Sequence, residues 1–360
     1  MKIINTIKNH LKSLLKINKD DSFSTQVDVA GSQLLRWRQS YSKNKQKPIY
    51  CVLSHSDNFN EMSAVFDMSM RLQQVLTPDE MPDIVFLPAE NSLQIMGQKI
   101  IPTLRSGEVG TILTPGVWTT QAISKGFEYN GLPAPLIFSG VLDIKRLDSL
   151  AASDKNKSMI TGIQKPVIDY QEFVSCIKDT VPHLKRVLLP FDRDIMSEEL
   201  VRLGYGMNDR QRGQFDNSNI QVIPVPISSH NELENIIEPL LQKGDGVMVT
   251  NDTTALAGFD AIKRAAESKR APIFAENNIA VLRGASIGVG GTGASDGPTM
   301  AHMLYRINDG CGEKPGDVPV VTLPRDQEVR FNAEAFARQG IFVSREKMRA
   351  LNMRSIFAGE

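Results

Sequence analysis

The sequence is short of the groups that anchor most catalytic and metal sites. Its 360 residues hold only three cysteines and five histidines. Cys51, Cys176 and Cys311 are odd in number and show no CxxC spacing, which excludes a self-contained disulfide framework and a zinc ribbon. They read as free thiols behaving as small apolar residues. His10, His55, His183, His230 and His302 form no HExxH or other paired spacing, so no metal is expected. No apolar run approaches the roughly 18 residues that span a bilayer. An excess of positive charge is also missing, because 41 Lys+Arg balance 41 Asp+Glu. Without it a nucleic-acid partner lacks its usual electrostatic footprint, and none is expected.

Two motifs are present only in outline. Gly288-Val289-Gly290-Gly291-Thr292-Gly293 matches GxGxxG, but a dinucleotide site needs that loop in the first βαβ unit, with an acid at the end of the next strand. Here it comes late, and Glu313 lies in a Gly/Pro-rich stretch. Gly293-Ala294-Ser295-Asp296-Gly297 matches GxSxG. A triad in that fold needs an acid and then a distant histidine downstream, whereas His302 follows at once and the only acid between is Asp296. There is no GxxxxGK[ST] phosphate loop. No nucleophile is assembled with a base and no cofactor is implied, so a binding protein is expected rather than an enzyme, with no catalytic residues.

What is present begins with a basic amphipathic pattern. Ile3, Ile4, Ile7, Leu11, Leu14 and Leu15 recur at helical spacing between Lys2, Lys8, Lys12, Lys16 and Lys19. Such a helix suits an anionic membrane surface, a partner, or a flap on its own domain. It lacks the unbroken apolar stretch and cleavage site of a secretory signal. From Lys19 to Lys47 the chain turns polar and reads as a linker, so residues 1–47 are expected to be an amphipathic helix and linker outside the folded body.

From Pro48 onward short apolar runs alternate with helical patterns, the signature of βαβ units and parallel sheets. Strands are expected over Ile49–Ser54, Asp83–Leu87, Thr111–Thr114 and Pro135–Ser139, then over Lys185–Leu189, Ile220–Val225, Gly246–Thr250, Pro272–Ala275 and Ala285–Val289. The polar stretch Asp148–Lys165 separates the two series. The residues after most of these strands are short hydroxyls, amides and acids: Ser54-His55-Ser56-Asp57, Thr114, Asp143, Asn251-Asp252 and Glu276-Asn277. Such residues cap helices, but in open α/β sheets ligands also bind outside the carboxyl ends of strands. As a set they are suited to a polar small molecule.

At this point the residues resemble a known family. Thr114-Pro115-Gly116-Val117-Trp118, Ala134-Pro135-Leu136-Ile137-Phe138-Ser139-Gly140-Val141-Leu142-Asp143, Ile160-Thr161-Gly162, Val249-Thr250-Asn251-Asp252-Thr253 and Gly312-Glu313-Lys314-Pro315-Gly316-Asp317-Val318-Pro319 follow one another in order. This is similar to the substrate-binding proteins of ABC transporters in the tryptophan-uptake-like family, over roughly Pro48 to Ile341. The resemblance implies the α/β type I periplasmic-binding fold, with two Rossmann-like parallel-sheet lobes around an interlobe cleft and three crossovers. Lobe 1 is expected over 48–163 plus 291–319 and lobe 2 over 164–290 plus 320–360, with a helix near 298–308 returning to lobe 1.

It further implies a monomer that takes up an amino acid or similar small polar ligand by hinge closure and hands it to an ABC permease. The family's cleft acids fall by position on Asp143 and Asp252, its Thr-Pro loop on Thr114 and Pro115, and its first-strand loop on Ser54 to Asp57. Ser54, His55, Ser56, Asp57, Thr114, Trp118, Asp143, Asn251, Asp252, Glu276 and Asn277 are the candidate ligand residues. Trp118 has core packing as its alternative role. The family is extracytoplasmic, whereas the lysine-rich start leaves a signal-less cytoplasmic ligand sensor or interaction protein open, with membrane-surface contact through residues 1–19.

Overall fold

The computed structural model describes residues 22–27, 33–38, 46–56, 58–77, 79–106, 108–141, 154–165, 168, 170–193, 209–291, 296–307, 312–323, 327–344, 346 and 354–356. The basic helix expected over residues 1–19 lies outside them, as do Asp57, Asp143, Ser295 and Cys311. The strands are β1 (Ser22–Val27), β2 (Gln33–Arg38), β3 (Ile49–Leu53), β4 (Ile84–Pro88), β5 (Thr111–Thr114), β6 (Leu136–Val141), β7 (Ile160–Gln164), β8 (Arg186–Asp192), β9 (Gln221–Ile227), β10 (Asp245–Val249), β11 (Ile273–Ala275), β12 (Ile287–Gly291), β13 (Val321–Thr322), β14 (Gln327–Asn332) and β15 (Arg354–Ile356). They fall into two compact units, 1–166 with 294–324 and 167–293 with 325–360, and the chain passes between the units three times.

The first unit holds one sheet in the order β1-β2-β4-β3-β5-β6-β7-β13. From β4 to β13 every pairing is parallel. All five residues of β3, Ile49-Tyr50-Cys51-Val52-Leu53, are buried, as expected for a parallel strand covered on both faces. The helix Phe59–Leu72 sends Met62, Val65, Met68 and Leu72 into the core at spacings of three and four residues. Against it lies the helix Asp296–Tyr305, which contributes Met300, Ala301, Met303 and Leu304 to the same cluster.

Gly297 sets how closely these two helices approach. A Cβ there would stand 2.4 Å from the Asp67 Cβ and 2.5 Å from the Met68 backbone nitrogen. Backbone cannot yield as a side-chain tip can, so Gly297→Ala is expected to destabilise the protein by about 1–3 kcal/mol through overpacking. Urea melts of the variant check this; an unchanged midpoint would mean that the helices separate freely.

The second unit holds a sheet in the order β15-β14-β12-β11-β10-β8-β9. Strands β9, β8, β10, β11 and β12 are parallel, β14 runs antiparallel to β12, and β15 is parallel to β14. Tyr170, Phe173, Val174 and Ile177 on the helix Tyr170–Thr180 pack with Val187, Leu189, Met248, Phe274, Val289 and Phe331. Pro224 and Pro226 fit β9 because it is an edge strand, where a missing N–H breaks no ladder.

Three features differ from the sequence reading. The stretch taken as a linker contributes β1 and β2, an antiparallel pair, and β2 adds antiparallel to β4 with Leu35, Arg36 and Trp37 opposite Phe86, Val85 and Ile84. Their pairing depends on the free edge of β4 rather than on a local apolar pattern, so their composition resembles a linker. The polar stretch 148–165 ends in β7, which pairs with β6. The helical pattern Ala255–Glu267 is two helices, Thr253–Ala257 and Phe259–Lys269, broken at Gly258. A Cβ on Gly258 would meet the Leu233 side chain and, at 3.0 Å, the His230 carbonyl oxygen.

Candidate functional site

Each sheet has one place where the strand order reverses. In the first unit the chain runs from β3 out to β4, then returns to β5 on the other side of β3. In the second it runs from β8 out to β9 and returns to β10. Open α/β sheets bind ligands outside the carboxyl ends of the strands at such a switch point. The exits of β3 and β5, and those of β8 and β10, are therefore the places to examine.

At the exit of β3, Ser54, His55 and Ser56 are all buried. The Ser54 backbone N–H donates to Glu61 Oε2 at 2.7 Å, and its hydroxyl donates to Glu61 Oε1 at 2.7 Å. Asn58 Nδ2 donates to Ser54 Oγ at 3.1 Å, while Asn58 Oδ1 caps the helix Phe59–Leu72 by accepting from the Glu61 N–H. Asn58-x-x-Glu61 has the spacing of a capping box. The Asn58 N–H is held by the His55 carbonyl oxygen, and the Glu61 carboxylate reaches Ser54 instead. Burial pushes Glu61 up to about 7, against the hydrogen bonds from Ser54 and the nearby His55.

His55 Nε2 lies 2.7 Å from Glu90 Oε2, and the Ser56 N–H donates to Glu90 Oε1. Burial opposes ionisation of Glu90, but these His55 and Ser56 contacts outweigh it and hold the carboxyl below its usual range. Glu90 and Asn91 both take positive φ, 49° and 52°. Asn91 N–H donates to the Ser54 carbonyl oxygen, so the β4 exit is folded back over the β3 exit.

At the exit of β5 the Thr120 hydroxyl donates to the Gly116 carbonyl oxygen at 2.7 Å and lies 2.9 Å from the Thr114 hydroxyl, from which it can accept. Gly116 has extended backbone that any residue could adopt. A Cβ there would lie 2.4 Å from Glu61 Oε1, so a larger residue would push the carboxylate out of its place. Trp118, two residues on, is buried in the helix Val117–Gly126.

The second unit has its own buried carboxylates. Asp252, fully buried, caps the helix Thr253–Ala257: Oδ1 accepts from the Ala255 N–H at 2.8 Å and Oδ2 from the Asp192 N–H at 3.0 Å. Burial pushes it up to about 6, against the backbone hydrogen bonds from Asp192 and Ala255. Asp192, at the end of β8, accepts from the Thr254 hydroxyl at 2.5 Å. Glu276, after β11, accepts from the Tyr170 hydroxyl on Oε1 and from the Asn251 N–H at 3.0 Å on Oε2. Burial and the adjacent Glu276 push the Tyr170 phenol up.

Asn277 caps the helix Asn278–Arg283 through a 2.7 Å bond from the Ala280 N–H. Its Nδ2, like the Thr250 hydroxyl, is buried without a hydrogen-bond partner among the described residues. Gly288 of the GxGxxG run serves this packing. A Cβ on Gly288 would stand 2.4 Å from Val281 and 2.9 Å from the Asn277 carbonyl oxygen, so β12 needs glycine to pass beneath that helix.

Of the sequence candidates, Ser54, His55 and Ser56 gather around Glu61 and Glu90. Thr114 and Trp118 belong to the β5 exit. Asn251 and Glu276 are joined directly, while Asp252 is bound to the β8 exit. Glu61, Asp192 and Tyr170 escaped the sequence reading. Glu61 left a trace in the Asn58-x-x-Glu61 spacing. Tyr170, 106 residues from its partner Glu276, left none. Among the described residues no group of three His, Cys, Asp or Glu is placed to hold a metal, and no helix is long and apolar enough to cross a membrane.

A search of curated protein sequences returned no match. Among solved structures, a conserved domain protein from Vibrio cholerae superposes with a TM-score of 0.65 at 15% identity, covering 86% of this chain and 100% of its own. An ABC domain from Streptococcus pneumoniae in complex with L-Trp gives 0.64 at 16% identity, with 86% and 100% covered. An ABC transporter solute binding protein from Bacillus halodurans with bound myo-inositol gives 0.52 at 12%, with 84% and 100% covered. At these identities the likeness establishes the fold, an α/β type I periplasmic-binding fold of two mostly parallel sheets. The family described as ABC transporter substrate binding protein matches residues 98–352, well over half of the sequence, and the chain belongs to that family.

Proposed function

We propose that this protein captures a small polar ligand, an amino acid or a molecule of similar size, at the strand exits of both units and presents it to an ABC permease. Proteins of the family bind small solutes rather than transform them, and work with a permease. The observation that carries the reading is the set of polar groups at the two switch points. Ser54, His55, Ser56 and Thr114 stand at one, while Asn251, Asn277 Nδ2 and the Thr250 hydroxyl, the last two without a hydrogen-bond partner among the described residues, stand near the other.

Within this reading the acids divide into two kinds. Asp252 and Glu276 have both carboxylate oxygens engaged by protein donors, so their part is to fix Asp192 and Asn251. Asp57 and Asp143, from the sequence, remain the groups to meet a ligand ammonium.

The test is a thermal-shift screen with L-amino acids, L-tryptophan first, and with polyols such as myo-inositol, followed by calorimetry. An amino-acid ligand is expected, with Asp143→Ala weakening it by about 10- to 150-fold through loss of one charged hydrogen bond. Binding of polyols alone would remove the amino-acid assignment. Unchanged affinity in both Asp143→Ala and Asp57→Ala would overturn the roles of those acids.

A further inference from the structure

We infer that Glu61 is a positioning residue for the ligand-facing surface of the first unit, coupling the β3 exit at Ser54 to the β5 exit at Gly116 so that the two loops hold one geometry. The inference rests on the reading of these exits as ligand loops. Strands β3 and β5 are neighbours in the sheet, but their exits diverge into different helices, and a switch point is the place where adjacent connections leave in opposite directions. Something must hold the two rims together. One carboxylate on the helix Phe59–Leu72 touches both.

Its two oxygens accept the Ser54 N–H and the Ser54 hydroxyl, and Oε1 lies so close to Gly116 that no side chain fits between them. The chain of donors runs from Asn58 Nδ2 to Ser54 Oγ to Glu61 Oε1. Two donors on two oxygens is the pattern of an ionised carboxylate. Its place in the first turn of a 14-residue helix also favours negative charge. Protonating Oε2 removes the acceptor of the Ser54 N–H, and protonating Oε1 makes the Ser54 hydroxyl turn round to accept, so either event rearranges the bonding of the carboxyl group that lies against Gly116. The pKa near 7 produced by burial brings that event within reach of solution experiments.

The charged and titratable groups around Glu61 are few among the described residues. From the β3 exit His55 faces it, with Glu90 of the β4 exit as its partner. From β3 itself comes the Cys51 thiol, pushed up by burial and by Glu61. The β5 exit, Thr114-Pro115-Gly116, brings no titratable group. The helix packed alongside, Asp296–Tyr305, brings Asp296, which faces Lys165 and Asp67. His55 is therefore the group that a pH experiment must separate from Glu61.

The test uses the full-length, isotopically labelled protein without ligand, following backbone amide resonances from about pH 5 to about pH 9. Ser54 and Gly116 are expected to titrate together with one midpoint near pH 7, to lose that titration in Glu61→Gln, and to keep it in His55→Asn. Glu61→Asp should restore the Ser54 titration with a smaller response at Gly116, because the shorter side chain spans less. A Gly116 resonance that stays still while Ser54 titrates would overturn the coupling, as would a joint titration that survives in Glu61→Gln or vanishes in His55→Asn. Should Glu61→Gln not fold, the wild type and His55→Asn decide the matter. Because no ligand is added, the two readings fail separately: a ligand screen that finds nothing sinks the binding reading, while joint titration of Ser54 and Gly116 keeps the coupling.

Discussion

Asp252→Ala is expected to lower the folding stability of this protein by about 2–4 kcal/mol, before any effect on ligand. Two losses add up. The helix Thr253–Ala257 loses the cap on its Ala255 N–H, typically worth about 1 kcal/mol. The Asp192 N–H, donating to Asp252 Oδ2 from the end of buried β8, is left without its acceptor, at roughly 1–3 kcal/mol. Asp252→Asn should fall between alanine and wild type, since its amide oxygen can keep one of the two bonds. Urea denaturation of the three proteins checks the order. If Asp252→Ala melts like wild type but loses ligand affinity, the carboxylate faces ligand and its structural role is wrong.

The second large effect is a dependence of stability on pH that belongs to Glu61. Its pKa is raised in the folded protein, from an ordinary 4.5 to about 7, so between those values the folded state holds more protons than the unfolded one. Stability from this group is therefore complete below about pH 4.5, declines as pH rises, and is gone above about pH 7. At 1.36 kcal/mol per pH unit the full span amounts to about 3 kcal/mol. Asp252, raised from 3.8 to about 6, adds a decline of the same sign over a lower window. Unfolding free energies measured across the range should converge between wild type and Glu61→Gln at one end and separate at the other, the wild type losing more as pH rises. Parallel curves would mean that the folded protein does not raise the Glu61 pKa above its ordinary 4.5.

These two carboxylates occupy corresponding places. Each lies beside a switch point and is buried, and each ties one strand exit to its neighbour: Glu61 between β3 and β5, Asp252 between β8 and β10. A switch point leaves the connections on either side without shared helix packing. A buried acceptor with two oxygens can reach both rims at once, at the cost of desolvating a charge. The raised pKa values are the signature of that compromise.

What the sequence determined by itself was whatever depends on neighbours along the chain. Apolar runs such as Ile49-Tyr50-Cys51-Val52-Leu53, alternating with helical stripes such as Met62, Val65, Met68 and Leu72, already specify buried parallel strands and covering helices, because residue periodicity decides which faces meet the core. The polar residues after each strand were equally legible, since the chain must leave the sheet there. Tertiary structure alone decided the rest. Whether Ser22–Val27 and Gln33–Arg38 form strands depends on the free edge of β4, which no local pattern announces. Whether an acid meets ligand or protein depends on donors that arrive from elsewhere: Asp192, 60 residues before Asp252, and Tyr170, 106 before Glu276. Burial and hydrogen bonding are properties of the assembled sheet ends. The sequence therefore marked where a ligand could be held, while the fold decided which carboxylates are engaged in keeping that surface in shape.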